Sequence, residues 1–153
     1  MQPVRISRAP SNVHLSDREA RELVAATSWY HAFELRPNLR TPGSSEFNAK
    51  DAAGALKIPA DLQGKRTLDV GAWDGPMTFE FERRGAQSSA LDIQDPTRVG
   101  FDAARRILGS RATHYQGSAY QLPFEELHDL DLMVLRLCGA HHVTTSSSRR
   151  PRA

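Results

Sequence analysis

The sequence predicts an α/β fold, a doubly wound parallel sheet with an N-terminal helical lead-in. Three observations predict it. Strand-like and helix-like runs alternate from residue 67 onward. A glycine-bracketed turn joins the first strand to the first helix of that series. An acid, Asp92, closes the second strand 21 residues after Gly71.

The size and composition fit one soluble domain. The chain has 153 residues, 39% hydrophobic and 25% charged. No apolar run approaches the ~18 residues of a membrane span, and the N-terminus, with Arg5 and Arg8 but no apolar stretch, lacks a secretory pattern. Cys138 stands alone, so no internal disulfide forms, and a reducing cytoplasm is the expected compartment. The pI near 9.0 suggests a nucleic-acid partner until its source is located. Arg149, Arg150 and Arg152 crowd the last residues, and without them acidic side chains outnumber basic ones by one. Composition therefore gives no footprint for a phosphate backbone.

In chain order, residues 1–14 hold Pro3 and Pro10 among polar residues and are expected to be disordered. Residues 15–63 form the lead-in. Ser16 and Glu19 make a capping box. Ala20, Leu23, Val24 and Thr27 then follow at helical spacing, predicting an amphipathic helix packed as a lid or support on the sheet. In residues 29–35, Trp29, Phe33 and Leu35 read as core and His31 as a satisfied polar neighbour. Residues 36–43 (RPNLRTPG) read as a turn-rich linker, since two prolines and a glycine exclude a continuous helix. Residues 48–56 are a weak helix.

The core is expected over residues 64–138. Residues 67–70 (TLDV) are the first strand, followed by the turn GAWDG, where residues without Cβ let the backbone reverse or approach a ligand. Residues 77–84 return as a helix with Met77 and Phe81 one turn apart, ended by Gly85. Residues 88–93 form the second strand. Residues 101–108 form a helix with Phe101, Ala104 and Leu108 on one face, stopped by Gly109. Residues 112–116 are the third strand, 117–124 a loop and 130–137 a strongly apolar fourth strand. The result is an incomplete, Rossmann-like parallel sheet of about four strands.

A glycine-rich strand-to-helix turn with an acid about 20 residues on is the layout of a nucleoside-cofactor unit, in which the acid receives the ribose hydroxyls. Asp92 is the candidate for that role, its carboxylate accepting two charge-assisted hydrogen bonds. The turn lacks the third glycine of a dinucleotide fingerprint. Asp69 and Asp74 would repel a diphosphate, whereas a cationic sulfonium is tolerated beside them. The charge argument favours S-adenosylmethionine over a nicotinamide dinucleotide. The bland alternatives are an ordinary βα turn, an idle strand-end aspartate at Asp92, and an Asp69 paired with Lys65 or Arg66.

LDVGAWDG, then ALDI and GSAYQLPFEELHDLDLMV, resembles the class I S-adenosylmethionine-dependent methyltransferases. The upstream WYHAFEL and TPG, with FERRGA, are similar to the tRNA wobble-uridine (5-methoxyuridine) methyltransferase-like group. The resemblance spans residues 27–134. It implies a cofactor site of Asp69, Gly71, Trp73, Gly75, Asp92, Ile93, Ser118 and Ala119. Asp69 would lie near the methionine amino group, Ile93 on the adenine face, and Ser118-Ala119 at the adenine edge, with serine where relatives carry an acid. The segment around Trp29 and His31 would border the pocket. tRNA becomes a partner by this resemblance alone, and a carboxylated form of the cofactor is an alternative to the ordinary one.

Beyond residue 134 the chain departs from the family pattern. LRLCGAHHV stands where relatives carry a strand ending in G-V-L-Y-H, and residues 139–153 are a polar, basic tail expected to be disordered. His141-His142 resembles a metal pair, but adjacent strand residues point oppositely and no further ligands accompany them, so no metal site is expected. The departure predicts a truncated or frame-shifted product whose fourth strand exposes an unpaired edge. Two functions follow: methyl transfer, or an inactive cofactor-binding fragment or interaction module lacking the substrate half.

Overall fold

The computed structural model describes residues 3–10, 14–122, 125 and 127–136. β1 (Arg5–Ser7) precedes the lead-in, which contains α1 (Asp17–Ala26), β2 (His31–Ala32), β3 (Glu34–Arg36), β4 (Leu39–Arg40), β5 (Ser45–Glu46) and α2 (Ala49–Ala55). The core then runs β6 (Arg66–Val70), α3 (Pro76–Arg83), β7 (Gln87–Asp92), α4 (Gly100–Leu108), β8 (Thr113–Gln116) and β9 (Leu132–Leu135).

The main sheet has the order β1-β8-β7-β6-β9. β6, β7, β8 and β9 are parallel, as expected, and β1 pairs with β8 antiparallel. The chain steps from β6 through β7 to β8 in one direction, then returns to place β9 on the far side of β6. In open α/β sheets, ligands bind at the carboxyl ends of the strands where this reversal occurs. Here that point lies between β6 and β9.

Strand alternation assigns the two faces. Val134, Asp69, Ala90 and His114 lie in one row across the sheet, facing α3 and α4. Phe101 of α4 is fully buried there, with Phe79 of α3 5.2 Å away and His114 4.6 Å away, ring centre to ring centre. Met77 and Phe81 of α3 close over Val134 with Ala53 of α2. The other row, Leu68, Val70, Leu91 and Tyr115, is covered by Leu122, Leu127 and Leu130 of the β8–β9 connection. That connection contains one short 3-10 turn, Ala119–Gln121, within the segment read as a loop.

Both halves of the Ser16 capping box form at the start of α1, and Ala20 and Val24 join the cluster around Phe33 and Phe101. On α4 the expected stripe shifts by one residue. Ile107 is buried with Ala104 and Ala103, three and four residues before it, and Leu108 is 38% exposed.

Three expectations are corrected. Residues 5–7, read as disordered, form β1 in register Arg5↔Gln116 and Ser7↔His114. Arg105 fixes them by donating to the Ser7 carbonyl at 2.9 Å and its hydroxyl at 2.8 Å. The lead-in is not simply helical: β2 pairs with β5 in parallel and β3 with β4 antiparallel. The proline-containing linker is part of this, because buried Thr41 donates to the His31 carbonyl at 2.6 Å and accepts the Phe33 amide at 2.9 Å. The expected fourth strand is shorter, Leu132–Leu135. Residues 137–153, including Cys138, His141-His142 and the basic tail, lie outside the described residues.

Candidate functional site

The site grows from the carboxyl ends of β6 and β7. Both Gly71 and Leu91 belong to the first contact beyond the strands: the Gly71 amide donates to the Leu91 carbonyl at 2.8 Å. Asp92, next along β7, is 7% exposed. Its Oδ2 accepts the Trp73 amide at 2.8 Å and its Oδ1 the Gln94 amide at 2.9 Å. Asp92 therefore lies against the glycine turn, its carboxylate bonded to the turn's own Trp73 amide. An ionised carboxylate has about four acceptor positions, and these two amides occupy about half of them.

Trp73 adopts φ 49°, in the left-handed region that non-glycine residues avoid. Its amide is tied to Asp92, and its ring packs 5.0 Å from that of Tyr30. A conformation of this kind costs on the order of 1–3 kcal/mol and concentrates at functional sites. Tyr30 (41% exposed), Ile93 (69%) and Tyr120 (99%) give this end an apolar rim. The Gly117 amide donates to the Asp92 carbonyl at 2.8 Å, bringing the Ser118-Ala119 segment to the same end. Ser118 caps the 3-10 turn, accepting the Tyr120 amide at 3.3 Å, and Ala119 is exposed.

The two turn glycines do different work from that expected. Gly71 has φ 77°, and a Cβ there would run into the Arg136 carbonyl. Gly75 has φ 84°, and a Cβ there would strike the rings of Phe101 and Phe79. The space each glycine leaves is thus filled by the protein's own atoms. Close packing, not a ligand cradle, accounts for both.

Asp69 is fully buried in β6. Its Oδ2 accepts the Thr78 amide at 3.1 Å and hydroxyl at 2.9 Å, capping the first turn of α3 from outside the helix. The Arg136 Nε lies 3.5 Å from Oδ1. That replaces the expected alternative: Lys65 instead pairs with Asp131 at 3.1 Å, and Arg66 donates to the His128 carbonyl at 2.7 Å. Among the described residues neither Asp69 Oδ1 nor Arg136 Nε completes a hydrogen bond. Arg136 follows β9 at the strand reversal. Its amide extends the ladder to Val70 at 2.9 Å, its guanidinium reaches the Ala72 carbonyl at 3.1 Å, and it lies 4.8 Å over the Phe47 ring.

Asp74 is also fully buried, and it is committed to the fold. Its Oδ2 accepts the amides of Tyr30 at 2.9 Å and His31 at 2.7 Å, with His31 Nδ1 at 3.2 Å. Its Oδ1 accepts the Gly100 amide at 2.8 Å, at the start of α4. Three amide dipoles compensate its charge, so Asp74 is not the free repulsive acid that the turn sequence suggested. His31 takes the structural role, beside Asp74 and 5.5 Å from the Phe47 ring. Trp29 likewise serves packing: its indole donates to the Val24 carbonyl at 3.0 Å, and its ring fills the space a Gly100 Cβ would need.

Sequence reasoning missed Arg136 and the part played by Asp74. Arg136 carries no motif signal, since its position emerges only once β9 docks beside β6. For Asp74 a hint existed: an acid between two glycines, in a turn downstream of an aromatic-rich lead-in.

The class defined by fold and site is an α/β protein of Rossmann-like topology with an acid at the tip of its second parallel strand. The chain matches no protein-family model, and no curated protein shows significant similarity to it. Among the described residues no group of three or more His, Cys, Asp or Glu is placed to hold a metal ion, and no helix is long and apolar enough to cross a membrane.

Proposed function

We propose that this chain binds S-adenosylmethionine at the carboxyl end of β6 and β7 and serves methyl transfer. The observation that carries the reading is Asp92, held against the glycine turn by two amides that occupy about half of its acceptor positions. Asp69 Oδ1, buried nearby in β6, completes no hydrogen bond among the described residues but lies 3.5 Å from Arg136 Nε, so the cofactor's ammonium group would share this acid with that guanidinium. Exposed Ile93 offers an apolar surface for a nucleobase. The cofactor supplies an electrophilic methyl group on a sulfonium. The protein's part is to bind the ribose through Asp92, orient the amino-acid end near Asp69 and so fix the methyl group's direction. Such catalysis is chiefly positional.

Isothermal titration with S-adenosylmethionine and with adenosine tests this. Asp92→Ala is expected to weaken both by roughly 10–100-fold, the loss of charge-assisted bonds to a diol. Asp69→Asn should weaken the first much more than the second. Absence of saturable binding by the wild-type chain would end the proposal. Incubation with tRNA and with small-molecule acceptors then measures turnover.

A second reading, cofactor binding without turnover, is favoured by Arg136. Its guanidinium brings a positive charge beside Asp69, where a sulfonium cofactor would be opposed. Arg136→Gln restoring tighter S-adenosylmethionine binding without methylation of any acceptor would support it. We also propose self-association through β9, which pairs with β6 on one side and with no other described strand. Its Leu132, Met133 and Leu135 are only partly buried. Light scattering should show mass rising with concentration, and a constant monomer mass would refute this.

A further inference from the structure

A cavity lies away from the strand-end site, between the residues following β1, the last turn of α4 and the segment leading into β8. Its volume is about 640 Å³, within the range of small-molecule sites. Arg8, His14, Arg105, Arg106, Arg111 and Thr113 are among its lining, and the described lining contains no acidic residue.

We propose that this cavity binds a compact phosphate-class polyanion, with diphosphate as the simplest form. Four arginines line one concavity; Arg105 is already held by Ser7 and Asp102, so Arg106 and Arg111 carry the proposed contact, and guanidinium forks match phosphate oxygens bidentately. Clefts lined by one sign of charge also concentrate counter-ions.

The ordinary explanation for arginines at this place is the helix terminus. A helix's carboxyl end carries a partial negative charge of about half a unit, favouring cations in the last turn. That explains Arg105, which is 2% exposed and bound to Asp102 at 2.7 Å as well as to Ser7. It does not explain the surplus. The Arg105 and Arg106 carbonyls already accept the Ser110 and Gly109 amides, so the terminus has little demand left for cations. Among the described residues no hydrogen bond or ion pair engages the guanidinium groups of Arg106 and Arg111. Among the described residues, Asp102, on Arg105, and Glu82, on the Arg111 amide at 2.7 Å, place negative charge nearby.

A compact anion is favoured over a nucleic-acid strand by shape. A strand needs a basic track, and the chain without its terminal arginines carries no basic excess. Here the charge is gathered around one concavity.

Titration of the full chain with inorganic diphosphate at fixed ionic strength tests the inference, with inorganic phosphate and a short single-stranded RNA as parallel arms. Diphosphate should bind saturably, more tightly than phosphate, and raise the melting temperature. The double variant Arg106→Gln/Arg111→Gln should weaken diphosphate binding by roughly tenfold or more, with its ligand-free melting temperature little changed. Should that variant fail to fold, Arg111→Gln alone, on an exposed residue, should still weaken binding severalfold. Undiminished binding by the folded variant, or no saturable binding by the wild type, overturns the proposal. RNA binding that diphosphate cannot displace overturns it too, in favour of a backbone groove. None of these results depends on S-adenosylmethionine binding.

Discussion

Asp74→Ala is expected to destabilise the chain by about 3–5 kcal/mol, the largest effect of any single polar substitution proposed here. The carboxylate is wholly buried and gathers three amides from two distant segments, Tyr30 and His31 at the entrance to β2 and Gly100 at the start of α4. Truncation leaves those donors without an acceptor, and each buried orphan costs about 1–3 kcal/mol. Some of the loss is recoverable if water enters the space, which is why the lower end of the sum is expected. Urea unfolding followed by tryptophan fluorescence measures the change, since Trp29 and Trp73 flank the site. Asp74→Asn, which keeps an acceptor oxygen, should cost less than the alanine change. A loss below about 1 kcal/mol for Asp74→Ala would show that the three segments do not need this acid.

Acid should destabilise the wild-type chain through His114. The side chain is fully buried, and neither ring nitrogen has a hydrogen-bond partner among the described residues. Burial pushes its pKa down from 6.5 to about 4, and the Arg105 charge adds to the shift, while Asp95 and Asp102 pull weakly the other way. Between these values the unfolded chain takes up a proton that the folded chain refuses. Stability from this residue is therefore intact above about 6.5, falls as the pH drops through that window, and stops falling below about 4. The full extent is on the order of 3 kcal/mol, each pKa unit being worth about 1.4. Unfolding free energies of wild type and His114→Leu, measured from neutral pH to about 4, should converge as acid is added if the wild type starts more stable. Parallel pH profiles for the two proteins would refute this.

Much of the core was legible because its signals are local. The alternation of β-prone and helical runs, the Ser16 capping box and the stops at Gly85 and Gly109 each depend on residues a few positions apart. The structure places β6, α3, β7, α4 and β8 within one or two residues of those expectations. Asp92 was legible for the same reason: its distance from Gly71 along the chain reflects one βαβ unit. What escaped depends on partners far away in sequence. Three residues at Arg5–Ser7 carry no strand signal until β8 provides a ladder. β2 and β5 are two residues each, too short for a period to register. Asp69 was read against its chain neighbours Lys65 and Arg66, yet its cation is Arg136. The glycines were read as letting the backbone reverse or approach a ligand, with an ordinary βα turn as the alternative; only the packed fold shows that Phe101 and the Arg136 carbonyl take up their space.

The antiparallel edge strand has a consequence for synthesis. Ser7 and the arginine that grips it are 98 positions apart, so residues 5–7 find their places only after the segment carrying α4 and β8 has been made. Until β8 emerges, the growing sheet has no seat for them, and closing so long a loop is entropically slow. The β6–β7 pair, joined by a single short crossover, can assemble before this late docking step.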